Sequence, residues 1–210
     1  MSSSATTGNL IVISAPSGAG KTTIVAELLR RDPAVRPSIS FTSRAPRPGE
    51  IDGVHYHFVT LERFQELIAI DELLEWALVH GNYYGTGRRA ISDLLVAGFD
   101  VVLTIDVQGE QQVRRYFPEA VLVFILPPSF QTLAERMGGR GDSDSAIFQL
   151  RLRNALDEVA QYRRFDYVVI NDHLGSAVDD LVKVVGAARL RTDRQSRVAE
   201  TILETFKLVP

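Results

Sequence analysis

Nine consecutive residues, Ala15-Pro16-Ser17-Gly18-Ala19-Gly20-Lys21-Thr22-Thr23, have the make-up of a loop that holds phosphate. Their spacing is G-x-x-x-x-G-K-[ST], with Ala15 in the first glycine position. Small residues let successive backbone N–H groups curl round phosphate oxygens, and a helix starting just behind them adds its partial positive charge. Lys21 is then placed to reach the terminal phosphates of a nucleoside triphosphate, and the Thr22 hydroxyl to ligate Mg²⁺. A cradle of this kind does not separate GTPases, ATPases and kinases.

Two further sets of cations could meet phosphate. Arg44 and Arg47 lie in a loop stiffened by Pro46 and Pro48. A guanidinium fork binds phosphate bidentately, and the prolines lower the entropy lost on fixing it. An isolated pair of this type would read as a solvated basic loop; beside a phosphate cradle it reads as a second anion site. Further on, Arg136 precedes the glycine-rich run Gly138-Gly139-Arg140-Gly141, which holds Arg140, and Arg151 and Arg153 follow on a helical stretch.

These groups need a scaffold. Leu10 to Ser14, Asp100 to Ile105, Ala120 to Leu126 and Tyr167 to Ile170 are short apolar runs of the kind buried in parallel sheets. Helical patterns lie between them at Lys21–Arg31, Gly87–Ala97, Gly109–Tyr116, Ser129–Met137 and Ser143–Tyr162, and a mostly helical tail, in one piece or two, covers about 174–207. Alternating strand and helix indicates an α/β fold with a mostly parallel sheet. Residues 37–87 break the rhythm with prolines, glycines and alternating stretches such as Val54–Phe58. They read as a small α+β insert of partly antiparallel strands with one helix, Leu61–Ile70. Residues 1–8 read as a mobile tail, 9–36 and 88–210 as the core, and about 136–150 as a lid hinged on its glycines.

Composition narrows the partners. The 210 residues are 45% apolar and 23% charged, ordinary for a folded protein. With 23 Lys and Arg against 26 Asp and Glu, the net charge of −3 offers no global field for a nucleic-acid backbone. There is no cysteine, so neither disulfides nor a thiolate metal site can form. No apolar run approaches the ~20 residues that span a bilayer, and the start lacks a secretory pattern, so the cytoplasm is the expected location and no membrane partner is expected.

The stretch Thr42–Glu50 (Thr-Ser-Arg-Ala-Pro-Arg-Pro-Gly-Glu), with the cradle, Leu74–Ala77, Gly81–Thr86, Ile105–Gly109, Gly139–Gly141 and Val169–Asp172, resembles in order the guanylate kinase family, bacterial nucleoside monophosphate kinases. The likeness runs from about residue 9 to 205. It implies a P-loop three-layer α/β fold with a nucleotide-monophosphate-binding insert at 37–87 and a lid. It also implies transfer of the terminal phosphoryl group of ATP to GMP or dGMP, with Mg²⁺, in guanine nucleotide synthesis and recycling. By that likeness Arg44, Arg47, Tyr56 and Tyr84 hold the GMP phosphate, with Glu50 in the same network, and Ser40, Glu75, Thr86 and Asp106 surround the guanine. Arg140 and Arg151 reach the transferred group together with Lys21 and Arg44. Arg136 and Asn171 lie on the adenine side, and Ala15 through Thr23 bind the ATP phosphates, with Thr22 as metal ligand.

The chemistry of guanine agrees with that division. Its N1–H and N2–H₂ are parallel donors that one carboxylate can accept, whereas adenine presents an acceptor at N1. Taken without the likeness, Glu75 reads as a surface charge beside a core Trp76, and His55 and His57 as strand-surface residues on the face away from Tyr56. Tyr83 and Tyr84 must face opposite ways, and the likeness picks Tyr84 for the site. One departure stands out: Thr104 occupies a position where the family usually carries Asp. Two other readings share the fold: a non-catalytic interaction module, against which the intact Gly18, Gly20, Lys21 and Thr22 argue, and a kinase for another acceptor. The last helix, read as Ala187–Leu208, can pack on its own core or on a second copy in a homodimer or higher homo-oligomer.

Overall fold

The computed structural model of the chain describes residues 7–79, 81–138 and 146–207. In chain order the elements are β1 (Leu10–Ser14), α1 (Lys21–Arg31), β2 (Val35–Pro37), β3 (Ser40–Thr42), β4 (His57–Phe58), α2 (Leu61–Ala69), β5 (Leu73–Val79) and β6 (Asn82–Gly87). They continue as α3 (Arg88–Val96), β7 (Asp100–Thr104), a 3₁₀ turn (Val107–Gly109), α4 (Glu110–Tyr116), β8 (Val121–Leu126), α5 (Phe130–Gly138) and α6 (Ala146–Ala160). A second 3₁₀ turn (Gln161–Arg164), β9 (Tyr167–Ile170), α7 (Leu174–Arg189) and α8 (Thr192–Phe206) complete the described chain.

The apolar runs form a five-stranded parallel sheet in the order β2-β7-β1-β8-β9. Alternate residues of β1 show why it is apolar throughout. Ile11 and Ile13 pack with Ile24 and Leu28 of α1 and Val178 and Leu181 of α7. Leu10 and Val12 face the opposite layer, with Ile91 and Leu95 of α3 and Val113 of α4. Each such buried side chain contributes roughly 1.5–3 kcal/mol, so the central strands tolerate no polar face. The result is a three-layer α/β fold. The carboxyl end of β1, flanked by β7 and β8, opens at the crevice where ligands of such sheets bind.

The insert builds its own four-stranded sheet, β4-β3-β6-β5. Strands β3, β6 and β5 run antiparallel and β4 joins β3 in parallel, over a small cluster of Phe64, Leu67 and Leu73.

Several expectations change. Val35–Pro37 is a fifth core strand, with Pro37 opposite Val102 and the Ser38 amide donating to Val102 O at 2.9 Å, so the core sheet reaches into the segment assigned to the insert. Its proline sits at a sheet edge, where a missing N–H is tolerated. Gly8 is buried and donates to Leu95 O at 2.9 Å, so the chain is docked from that residue on. The helical tail is in two pieces, broken at Leu190 and Arg191, and the final helix starts at Thr192 instead of Ala187, because Ala187 and Ala188 belong to α7. Of the lid, Arg140 and its flanking Gly139 and Gly141 lie outside the described residues, as do residues 1–6 of the tail.

Candidate active site

Gly18 and Gly20 of the loop after β1 hold φ angles of 86° and 91°, the left-handed region that glycine enters without a Cβ penalty. Space demands glycine as well. A Cβ on Gly20 would lie 2.4 Å from the Asn171 side chain, and one on Gly18 would lie 2.6 Å from Met137 Cγ. Helix α1 starts from Gly20 with no side-chain cap and no acid in its first turn, so its leading N–H groups face the crevice unneutralised. Asn171, buried at the end of β9, donates from Nδ2 to Ala19 O at 2.7 Å and fixes the loop from behind. Arg136 donates to Asn171 O at 3.0 Å.

Lys21 Nζ donates to Ile105 O at 2.9 Å, and the Ser14 hydroxyl donates to the same carbonyl at 3.1 Å. Burial pushes the Lys21 ammonium pKa down, opposed by the negative charges of Asp106, Glu158 and Glu75. From α6, the Glu158 carboxylate accepts from Ser17 N at 3.1 Å, tying that helix to the phosphate loop.

A cleft of about 550 Å³ opens in front of this loop. One wall is Ala15 through Gly18 with Gly20 through Thr23, Thr104, Ile105 and Asp106; the other is Ser40, Tyr56, Glu75, Ala77 and Tyr84 of the insert. Arg136 and Glu158 close one side. Ala19 is buried behind the loop and does not line the cleft.

Glu75 is the buried acid of this cleft. It is 6% exposed while Trp76 is 37% exposed, the reverse of a surface acid beside a core tryptophan. The Thr86 hydroxyl, itself buried, donates to Glu75 Oε1 at 2.7 Å and lies 3.0 Å from the Ser40 hydroxyl. Thr86 therefore stands behind Glu75 and does not line the cleft. Burial pushes the Glu75 carboxyl up to about 7; the Thr86 bond opposes this, Asp106 adds to it and Lys21 opposes it. Asp106 caps the 3₁₀ turn by accepting from Gln108 N at 3.2 Å.

The cations of the insert gather at the rim. Arg44 forms a bidentate pair with Glu50 at 2.9 and 3.0 Å, and Glu50 also accepts from Arg47 N at 2.7 Å. The pair with Arg44, then the Arg47 amide, holds the Glu50 carboxyl down at about 2. Arg44 Nε is buried and has no hydrogen-bond partner. The Arg44 guanidinium lies 5.7 Å from the Tyr56 ring, and Tyr56 and Tyr84 meet edge to face at 5.9 Å, so the rim joins the cleft through these tyrosines. The Arg47 side chain is exposed.

Tyr84 faces the cleft while Tyr83 stacks on Phe64 at 5.3 Å on the other side, as alternation requires. His55 corrects its expected placement: it lines the cleft beside Tyr56, because this stretch is a loop in which alternation does not apply, and its Nδ1 accepts from Ile51 N at 3.0 Å. Arg151 is half-buried on α6 and does not line the cleft, Arg153 is exposed, and Arg140 is not described. Among the described residues no group of acids and histidines is arranged to hold a metal by protein ligands alone. No described helix is long and apolar enough to cross a membrane. Sequence reasoning missed Glu158, Ser38, which also lines the cleft, and the Ile105 carbonyl. The first two carry no motif, and a backbone carbonyl carries no sequence signal at all.

Comparison with known proteins agrees with this geometry. The sequence model of the family described as Guanylate kinase matches residues 7–188. The chain is 51% identical over 197 residues to a guanylate kinase of Neisseria meningitidis serogroup B, covering 94% of this chain and 96% of that protein. It is 54% identical over 183 residues to one of Dechloromonas aromatica, covering 87% and 91%. A crystal structure of guanylate kinase from Anaplasma phagocytophilum superposes with a TM-score of 0.79 at 30% identity, covering 96% of each chain.

Proposed function

The chain belongs to the guanylate kinase family, and from that premise we propose how its cleft moves the terminal phosphoryl group of ATP onto GMP to give ADP and GDP. The loop from Ala15 to Thr23 and the uncapped start of α1 hold the ATP phosphates, and Lys21 swings from the Ile105 carbonyl to the β- and γ-phosphates. The oxygen donors on the cleft, the Thr22 hydroxyl and the Asp106 carboxylate, suit a hard cation such as Mg²⁺, with Thr22 as the ligand. Bound there, that cation supplies neutralisation of the β- and γ-phosphate charge.

GMP lies along the insert wall. The Glu75 carboxylate accepts guanine N1–H and N2–H, with Ser40, Thr86 and Asp106 around it. Arg44, Arg47, Tyr56 and Tyr84 take the phosphate, and Glu50 holds the Arg44 guanidinium in place on the rim until it does. A GMP phosphate oxygen then attacks the γ-phosphorus while the bond to the β,γ-bridging oxygen breaks and ADP leaves. The attacking oxygen is already anionic, so no strong base is needed; positioning and charge cancellation do the chemistry. Arg136, Arg140 and Arg151 are proposed to supply cations from the α5–α6 side, and Asn171 to keep the loop in shape. Cytoplasmic residence belongs to the same proposal.

The observation that carries the reading is a buried, Thr-bonded carboxylate on the cleft wall opposite a phosphate loop. Coupled measurement of ADP release with GMP, dGMP, AMP and UMP tests it. GMP and dGMP should serve, because the residues named read base and phosphate. AMP should fall by roughly 10⁴-fold, the penalty for leaving buried polar groups unpaired. Comparable rates with AMP would refute the assignment of Glu75.

A further inference from the structure

Strand β5 is an edge strand, and one side chain from the core closes that edge. Gln112 on α4 accepts from Trp76 N at 3.2 Å through Oε1 and donates to Trp76 O at 2.9 Å through Nε2. The amide thus stands in for the peptide group of a missing neighbouring strand, pairing both backbone groups of one residue. The backbone donor and acceptor fix which end of the amide is oxygen.

The place is significant. Register in the β5–β6 ladder shifts between Leu73, opposite Gly87, and Glu75, opposite Thr86, so Leu74 is an extra residue in a β-bulge. The bulge reverses the facing of the strand. Leu73 packs with Phe64 in the insert cluster, whereas Glu75, two residues on, turns to the cleft. The Glu75 carboxylate then abuts the turn before α4, where a Cβ on Gly109 would lie 2.9 Å from Oε2. Bulged edges are irregular, and nothing in the β5–β6 pairing alone sets the distance from Glu75 to Asp106, which belongs to the core.

We infer that Gln112 is a positioning residue for guanine recognition: by docking the backbone of Trp76 onto α4 it holds the Glu75 carboxylate in register with the Asp106 turn. The inference rests on the reading of Glu75 as the group that accepts the guanine donors. Gln112 does not line the cleft; it acts through the strand.

Steady-state kinetics of Gln112→Met, which keeps the stem and removes both hydrogen bonds, tests this against Gln111→Met on the exposed neighbouring position. Loss of the two bonds should raise KM for GMP about tenfold and lower the preference for GMP over AMP by a similar factor, with KM for ATP within about twofold. Gln111→Met should match the wild type. An unchanged KM for GMP, or an equal rise for ATP, overturns the inference. Amide hydrogen exchange in the wild-type chain gives a second reading that needs no variant. The Trp76 amide should exchange far more slowly than a free edge amide, and free-edge exchange would also overturn it. Glu75→Gln separates the two levels. If that variant keeps the preference for GMP, the guanine reading falls and this inference with it. If it loses the preference while Gln112→Met keeps it, only the positioning role falls.

Discussion

At the scale of single residues, Glu75 carries the most testable chemistry. Its carboxyl is raised from an ordinary 4.5 to about 7, chiefly by burial. Between those values the folded protein holds a proton that the unfolded chain has released, so this group's contribution to stability falls as pH rises through that window and is level above it. Guanine demands the carboxylate form, so GMP binding near pH 7 should release part of a proton, and KM for GMP should rise as pH falls below 7. Calorimetric titration of GMP in two buffers of different ionisation heat measures the release. Glu75→Gln should lower it by the Glu75 share; equal release from variant and wild type would contradict the assignment. The sequence pointed to Glu75 only through its likeness to a family. Residue by residue, Leu73-Leu74-Glu75-Trp76 reads as an apolar strand with an acid on its surface, because a bulge leaves no mark in hydrophobic alternation. The phosphate loop was legible outright, since its glycines, lysine and threonine are dictated by backbone shape and ligand charge.

Elements show a similar division. The buried strands β1, β7 and β8 could be read directly, because two covered faces require continuous apolar runs; β9 shares the apolar pattern but is an edge strand in which only Val169 is buried, so its expected burial on both faces does not hold. Strand β2, Val-Arg-Pro, could not: it is short, at the edge, and one of its three residues lacks an amide donor. What ties this architecture together is also polar. Asp100, buried at the start of β7, accepts from Asn9 N at 2.7 Å, Asn9 Nδ2 at 2.9 Å and Arg189 Nε at 2.6 Å, and Arg189 continues to Asp32 at 2.8 Å. One carboxylate thus joins the N-terminal approach, the central sheet, the end of α7 and the turn after α1. Asp100→Ala leaves three donors without their acceptor and should cost about 3 kcal/mol, read as a lower urea midpoint with an unchanged slope. A loss below about 1 kcal/mol would show that water replaces the bonds and that the latch is dispensable. None of this was visible beforehand, for Asp100 and Arg189 are far apart in the chain and look like ordinary charges.

Across the whole molecule, the proposed reaction asks a chain of net charge −3 to bring cations to two polyanions. Those cations come from separate parts of the fold: the start of α1, the insert loop and the α5–α6 side. Helix α8 buries none of its residues and takes no part in the cleft, which agrees with a family match that ends at residue 188. The central claim is that the two walls bind different nucleotides through different cations. The measurement that tests it most directly is the steady-state rate of GDP formation by Arg44→Met, with GMP and ATP varied in turn. Loss of one half-buried guanidinium fork on the insert rim should raise KM for GMP by about a hundredfold and leave KM for ATP within about twofold. An unaltered KM for GMP, or a matching rise for ATP, would contradict the account.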